Sequence, residues 1–175
     1  MKIRPYARRD RQACLDILEG NTPEFFVPED RDVLAAFLEN LPGPYLVAEE
    51  QESIVACGGW AMDSEGVADL TWGMVRRTFQ GREIGHALLR HRLRSIREET
   101  GATIARVRTT QLVQRFFAHE GFIVVAVVPN GFGPGLDRVT MNLRLRVGEP
   151  DPLFPDGVRA QVREGTPHRL TGRSL

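Results

Sequence analysis

The residues best placed to do chemistry in this sequence form a short glycine-containing segment between an apolar run and an amphipathic stretch. The apolar run Val67–Val75 is followed by Arg76–Gln80 and then by Gly81 and Gly85, at the start of a predicted helix that extends to Thr100. Backbone N–H groups at a helix start lack helical partners and, with the helix dipole, favour a phosphate or pyrophosphate. The segment therefore predicts a phosphate site, and a tight turn with a packing glycine is the alternative.

Two other phosphate-binding patterns are absent from the sequence. No Gly-Lys-Ser/Thr stretch is present to form a nucleotide P-loop. The second glycine cluster, Gly131–Gly135, contains Pro134 where the helix of a dinucleotide-binding motif would begin. The sequence thus supports neither a P-loop nucleotide hydrolase nor a dinucleotide-dependent dehydrogenase.

A second segment makes the prediction of a phosphate site more specific. Thr109–Phe122 contains an aromatic pair, Phe116 and Phe117, and closes with Gly121 and Phe122. Together, in this order and at this separation, the two segments resemble the acetyl-CoA-binding parts of the GNAT (Gcn5-related N-acetyltransferase) superfamily. The family pattern is Gln/Arg-x-x-Gly-x-Gly/Ala after the fourth strand, then a short helix with an aromatic pair that ends in Gly-Phe. The resemblance covers about residues 1–146.

The resemblance implies an acetyl-CoA site that draws on both segments. The pyrophosphate would lie against the backbone at the glycine-containing helix start, and the pantetheine arm would pair with amides at the edge of the fourth strand. Thr110 stands where the family often has an asparagine that touches this arm. The implied cofactor-binding residues are Met74, Val75, Gln80, Gly81, Arg82, Glu83, Ile84, Gly85, His86, Thr110, Phe116 and Phe117.

Two residues depart from the family pattern. Glu83 replaces the first glycine of the pattern and places a carboxylate near two phosphate charges, although the helix dipole also favours an acid in the first turn. Phe117 stands where many relatives have a tyrosine, their proposed general acid, and the only tyrosines here are Tyr6 and Tyr45, on early predicted strands. Both departures favour an alternative function, a non-catalytic acyl-CoA-binding or regulatory module.

Acetyl transfer from a thioester to an amine needs a neutral amine, a stabilised oxyanion and a leaving thiolate. A lysine-like amine has a pKa near ~10.4 and needs a base or a water chain, whereas a thiol with a pKa near ~8.5 leaves more easily. The candidate bases are Asp69, on the fourth predicted strand, and Glu24, between the early helices; His119 and Glu120 are weaker candidates.

Composition excludes several classes of partner. Among 175 residues, 23 acidic side chains balance 23 basic ones, so the chain lacks the positive field that nucleic acid or an anionic membrane attracts. No run approaches ~18 apolar residues, and the N-terminus has no apolar signal segment. Cys14 and Cys57 form no disulfide framework, and no His/Cys cluster has metal-ligand spacing. We expect a cytoplasmic protein without nucleic acid, membrane or metal; a homodimer is left open.

The elements that must position these residues follow from the hydrophobic pattern. It predicts the order β-α-α-β-β-β-α-β-α-β-β, a mixed α/β fold. The resemblance implies a mostly antiparallel GNAT-like sheet with splayed fourth and fifth strands. Ile123–Val128 is predicted as a strand buried on both faces, followed by a loop over Pro129–Gly135. Residues 1–146 are expected to form the acetyltransferase domain, and residues 147–175 an irregular tail rich in Gly, Pro and Arg.

The leading prediction from the sequence is an N-acetyltransferase. It would transfer the acetyl group of acetyl-CoA to an amine of a small molecule or of a protein or peptide. The acceptor itself is not identified by any motif.

Overall fold

The elements follow the predicted order. The computed structural model describes residues 1–145; the predicted tail lies outside the described residues. The elements are β1 (Lys2–Pro5), α1 (Arg11–Gly20), α2 (Asp30–Glu39), β2 (Tyr45–Glu50), β3 (Ser53–Met62), β4 (Ala68–Val75), α3 (Ile84–Glu99), β5 (Ile104–Thr109), α4 (Gln114–His119), β6 (Ile123–Gly133) and β7 (Leu136–Arg144). Short 3-10 helices at Arg8–Asp10 and Arg77–Phe79 precede α1 and α3.

The strands form one sheet in the order β1-β2-β3-β4-β5-β7-β6. Neighbouring strands are antiparallel except β4 and β5, which are parallel. Their pairing covers only residues 68–70 of β4, opposite residues 105–107 of β5. Beyond Leu70 and Val107 the two strands separate, and a cleft opens between them. This confirms the mixed, mostly antiparallel sheet with splayed fourth and fifth strands.

Helices cover both faces of the sheet. One face packs against α1 and α2, which bury Leu15, Leu34 and Phe37 beside Trp72 of β4. The opposite face packs mainly against α3 and α4. The buried positions of α3 recur every three or four residues, as an amphipathic helix requires, and they are Ile84, Leu88, Leu89, Arg92, Leu93 and Ile96. Helices pack against both faces of β4, and these contacts fix the direction of its splayed end.

The prediction for β6 is wrong in two respects. The strand is not buried on both faces: it lies at the edge of the sheet, and five aliphatic side chains between Ile123 and Val128 are 40–64% exposed. The predicted loop over residues 129–135 is also too long, because β6 continues to Gly133 and only two residues separate it from β7. A continuous aliphatic run indicates a strand, but the neighbouring elements decide its burial.

Candidate functional site

A cavity of about 340 Å³ lies beside the end of β4, where the splayed strands lead to α3 and α4. Four segments line it: the α1–α2 loop, the end of β4, the start of α3 and the residues around the start of α4. The lining residues are Phe25, Val75, Gln80, Gly81, Arg82, Glu83, Gly85, His86, Leu112, Val113 and Phe116. The two segments that the sequence singled out therefore meet at one cavity.

The start of α3 explains which glycines the backbone needs. Gly81 has φ +73°, a left-handed conformation that favours glycine. Glu83, by contrast, has φ −59°, so the backbone tolerates a side chain where the family pattern has glycine. At Gly85 an added Cβ would lie 3.4 Å from Phe116 Cε2 and 3.6 Å from Val75 Cγ2. Gly85 thus lies between two walls of the cavity, where an added Cβ would meet ordinary van der Waals contacts.

The backbone of Val75 faces the cleft. Arg76 N donates a hydrogen bond of 2.7 Å to Val55 O on β3. Because N–H groups alternate in direction along a strand, the N–H of Val75 points away from β3, and that of Met74, which pairs with Cys57, points toward it. Of the two strand residues expected to offer amides to a pantetheine arm, Val75 is the one placed to do so.

A buried amide, Asn21, orders the turn after β4. Its Nδ2 donates to Ile17 O at 2.8 Å and to Val75 O at 3.0 Å. Gln80 Nε2 donates to Asn21 Oδ1 at 2.7 Å and to Val75 O at 3.3 Å. Nothing local in the sequence indicates the role of Asn21, because Val75 lies 54 residues away along the chain.

Charged groups border the cavity at the α3 start. His86 packs against Phe116 with 4.7 Å between ring centroids, and its Nδ1 lies 2.6 Å from Glu120 Oε1. Arg90 Nη2 donates to the same oxygen at 3.1 Å. The guanidinium of Arg82 lies 4.8 Å from the centre of the Phe79 ring. Glu120, a weaker candidate base, is therefore engaged by His86 and Arg90.

Ile84, Thr110 and Phe117, also implied by the resemblance, are buried and do not line the cavity. Phe117 is 1% exposed and packs edge-on against Phe116 and Phe122, at 5.0 and 5.5 Å between centroids. Ile84 belongs to the buried stripe of α3. Thr110 is also buried, and its hydroxyl has no hydrogen-bond partner among residues 1–145.

Asp69 and Glu24 lie outside the cavity lining, in different surroundings. Asp69 accepts hydrogen bonds from Arg106 at 2.6 and 2.7 Å and from Arg108 at 3.1 Å. It lies six residues before Val75, or about 20 Å along an extended strand. Glu24 is about half exposed, forms an ion pair with Arg77, and directly precedes the lining residue Phe25.

Two further structural properties concern metal binding and membrane insertion. Within residues 1–145, no group of three or more His, Cys, Asp or Glu side chains is arranged to hold a metal ion. None of the helices in this part of the chain combines the length and apolar character needed to span a membrane.

Comparison with known proteins agrees with this geometry. A family model described as an acetyltransferase (GNAT) domain matches residues 42–124, which include β4, the α3 start and α4. No curated protein sequence matches significantly.

Solved structures share the fold. The yncA protein of Salmonella typhimurium, with acetyl-CoA, is 23% identical (TM-score 0.69), covering 87% of this chain and 98% of that one. An aminoglycoside 6'-N-acetyltransferase with coenzyme A is 16% identical (TM-score 0.70; coverage 86% and 100%). The ribosomal-protein-S18-alanine N-acetyltransferase of Escherichia coli is 15% identical (TM-score 0.72; coverage 85% and 96%). The match of the family model to residues 42–124 and these structural similarities show that the chain has the GNAT fold.

Proposed function

We propose that this chain is an N-acetyltransferase that transfers the acetyl group of acetyl-CoA to an amine. The observation that carries the proposal is the meeting of three features at one cavity: the Val75 backbone at a splayed strand edge, the start of α3, and the wall formed by Phe116. A strand edge suits the amides of an extended pantetheine arm, and a helix start suits the pyrophosphate. Two similar structures were solved with coenzyme A or acetyl-CoA, which supports the same ligand here.

The proposed reaction has one bond formed and one broken. The neutral amine attacks the thioester carbonyl carbon, the C–S bond breaks, and CoA leaves as a thiolate while the amine proton passes to a base or to water. Of the two candidate bases we favour Glu24, because it adjoins the lining residue Phe25 and pairs with one exposed arginine, whereas two largely buried arginines hold the carboxylate of Asp69. No tyrosine lines the cavity, so the thiolate leaves on its own modest basicity.

A thiol-release assay with acetyl-CoA and an amine panel tests the function. The panel includes aminoglycosides and peptides with N-terminal alanine, because the names of similar structures point to both classes. We expect amine-dependent release of CoA. Calorimetry showing no binding of CoA at millimolar concentration would contradict the proposal. Binding without release for every amine would instead support the alternative, an acyl-CoA-binding or regulatory module.

Glu83→Gln is expected to strengthen CoA binding roughly two- to fivefold, the size of an exposed charge interaction. The Glu83 carboxylate is exposed and lines the cavity, so it would repel the phosphates. The same change weakens helix α3 by a few tenths of a kcal/mol, because an acid in the first turn favours the helix. Calorimetry at low and at 1 M salt measures the effect, which high salt should remove. Glu98→Gln, at the other end of α3, is the control; equal affinities for the two variants would place the phosphates elsewhere.

A homodimer and a cytoplasmic location remain predictions. For the dimer we propose the β6 edge, where a second copy would add its own β6 antiparallel across a two-fold axis. Residues 123–128 carry no charge, so two copies of this strand meet without like-charge repulsion. Val125 is 51% exposed, and Val125→Glu should convert a dimer to a monomer in light scattering. A wild type that is monomeric at all concentrations would rule the dimer out.

A further inference from the structure

Strand β4 contains a bulge immediately before the cleft. The register with β3 shifts between Thr71 and Met74, so Trp72 and Gly73 together face the single residue Gly58. Trp72 has φ +42°, a left-handed conformation that costs a non-glycine residue roughly 1–2 kcal/mol. A bulge disrupts the ladder and redirects the strand. The carbonyl groups around it therefore need partners from outside the ladder.

Two buried side chains supply those partners. Arg92, on α3, donates to Gly59 O from Nε at 2.9 Å and from Nη2 at 2.6 Å, and Nη2 also donates to Thr71 O at 3.3 Å. Tyr45, on β2, donates from its hydroxyl to Trp72 O at 3.0 Å. The three carbonyls that surround the bulge are thus held from α3 on one side and from β2 on the other.

A buried arginine is costly for stability, so packing alone does not explain Arg92. Arg92 is 2% exposed within the apolar stripe of α3, and burial lowers the pKa of its guanidinium to about 10. Replacing buried charged groups by apolar ones of similar volume is often neutral or stabilising. Neither Arg92 nor Tyr45 lines the cavity. Their shared feature is contact with the bulge, so the explanation for both lies in the backbone they hold.

We propose that Arg92 and Tyr45 are positioning residues for acetyl transfer, an inference that rests on the proposed function. By holding the bulge carbonyls they set the direction in which the strand presents its next backbone groups to the cleft. The amide of Val75, three residues after Trp72, faces that cleft. The oxyanion and the pantetheine arm depend on such backbone donors, and a misplacement of about 1 Å can cost on the order of 10²-fold in rate.

Tyr45→Phe tests the inference against a matched control, Tyr6→Phe. The two rings pack edge-on with 5.8 Å between centroids, and within residues 1–145 the Tyr6 hydroxyl is buried without a hydrogen-bond partner. Both changes remove a buried hydroxyl, but only Tyr45 holds the bulge. We expect kcat to fall about tenfold for Tyr45→Phe and to stay within twofold of wild type for Tyr6→Phe. The Kd for CoA should change less than kcat in Tyr45→Phe, because the pyrophosphate site at the α3 start is untouched.

Arg92→Lys and Arg92→Met provide the second test. Lysine keeps the charge but not the planar fork, so Arg92→Lys should retain more of kcat than Arg92→Met. If Arg92→Met fails to fold, Arg92→Lys and Tyr45→Phe still test the inference. Urea unfolding shows whether each variant is folded in the assay. Equal kcat for Tyr45→Phe and Tyr6→Phe, or an Arg92→Lys enzyme as fast as wild type, would overturn the inference.

The outcome for the wild type separates this inference from the proposed function. If wild type turns over no amine, the proposed function fails. The effect of the two hydroxyl groups on the backbone is then measured by NMR. The amide resonance of Val75, three residues beyond Trp72, should shift in Tyr45→Phe and not in Tyr6→Phe. An unchanged resonance in Tyr45→Phe would show that the hydroxyl does not hold the strand edge.

Discussion

Gly85→Asp is expected to weaken the binding of CoA at least tenfold while the protein stays folded. A Cβ at residue 85 meets only ordinary contacts, at 3.4 Å from Phe116 and 3.6 Å from Val75, so the fold accommodates it. The carboxylate extends beyond Cβ, and residue 85 lines the cavity. It also places a negative charge at a helix start that would otherwise favour phosphate. Calorimetry with CoA measures the loss.

Two further variants identify the cause of that loss. Gly85→Ala adds volume without charge, so its affinity should fall between those of wild type and Gly85→Asp. Gly101→Asp adds the same charge beyond the C-terminal end of α3, where an added Cβ meets nothing within 4 Å, and it should bind CoA as wild type does. If Gly85→Asp also binds as wild type does, Gly85 is a packing residue and the CoA site lies elsewhere.

The fold could be predicted because its signals are local. Period-two and period-3.6 patterns indicate strands and helices directly, and the order of elements followed from them. The α3 start was equally visible, because the glycines that a phosphate site needs are neighbours in sequence. The exposed position of β6 could not be predicted, since the same aliphatic run fits a buried strand or an edge strand until the neighbouring elements are known.

The parts of the site that escaped prediction depend on contacts distant in sequence. Arg92 lies on the buried stripe of α3, four residues from Leu88 and from Ile96, and its partner Gly59 is 33 residues away. The only mark of the bulge in the β4 sequence is Gly73, because the positive φ at Trp72 is imposed by the surrounding structure. Asn21 and Gln80, 59 residues apart, form a contact that only the fold brings together.

Phe117→Ala is expected to lower the free energy of unfolding by about 3–5 kcal/mol, the usual cost of deleting a buried phenylalanine. Phe117 is 1% exposed and packs against the rings of Phe116 and Phe122, in the core beneath α3 and α4. Nothing in the cavity lining replaces the lost volume. Urea unfolding of the variant and of wild type gives the difference. A loss below 1 kcal/mol would mean that the ring is not part of the core.

Phe116→Ala separates the two neighbouring phenylalanines. Phe116 lines the cavity and is only partly buried, so its removal should cost less stability and more CoA affinity than removal of Phe117. The affinity of Phe117→Ala must be measured where the variant is fully folded, because Phe117 also supports Phe116 from behind. If both variants lose stability and affinity in the same proportion, the pair acts as one packing unit. If Phe116→Ala alone loses affinity, Phe116 is the aromatic residue that contacts the pantetheine arm. Phe117, where relatives have their tyrosine, is then a core residue in this chain, and the thiolate must leave without its help.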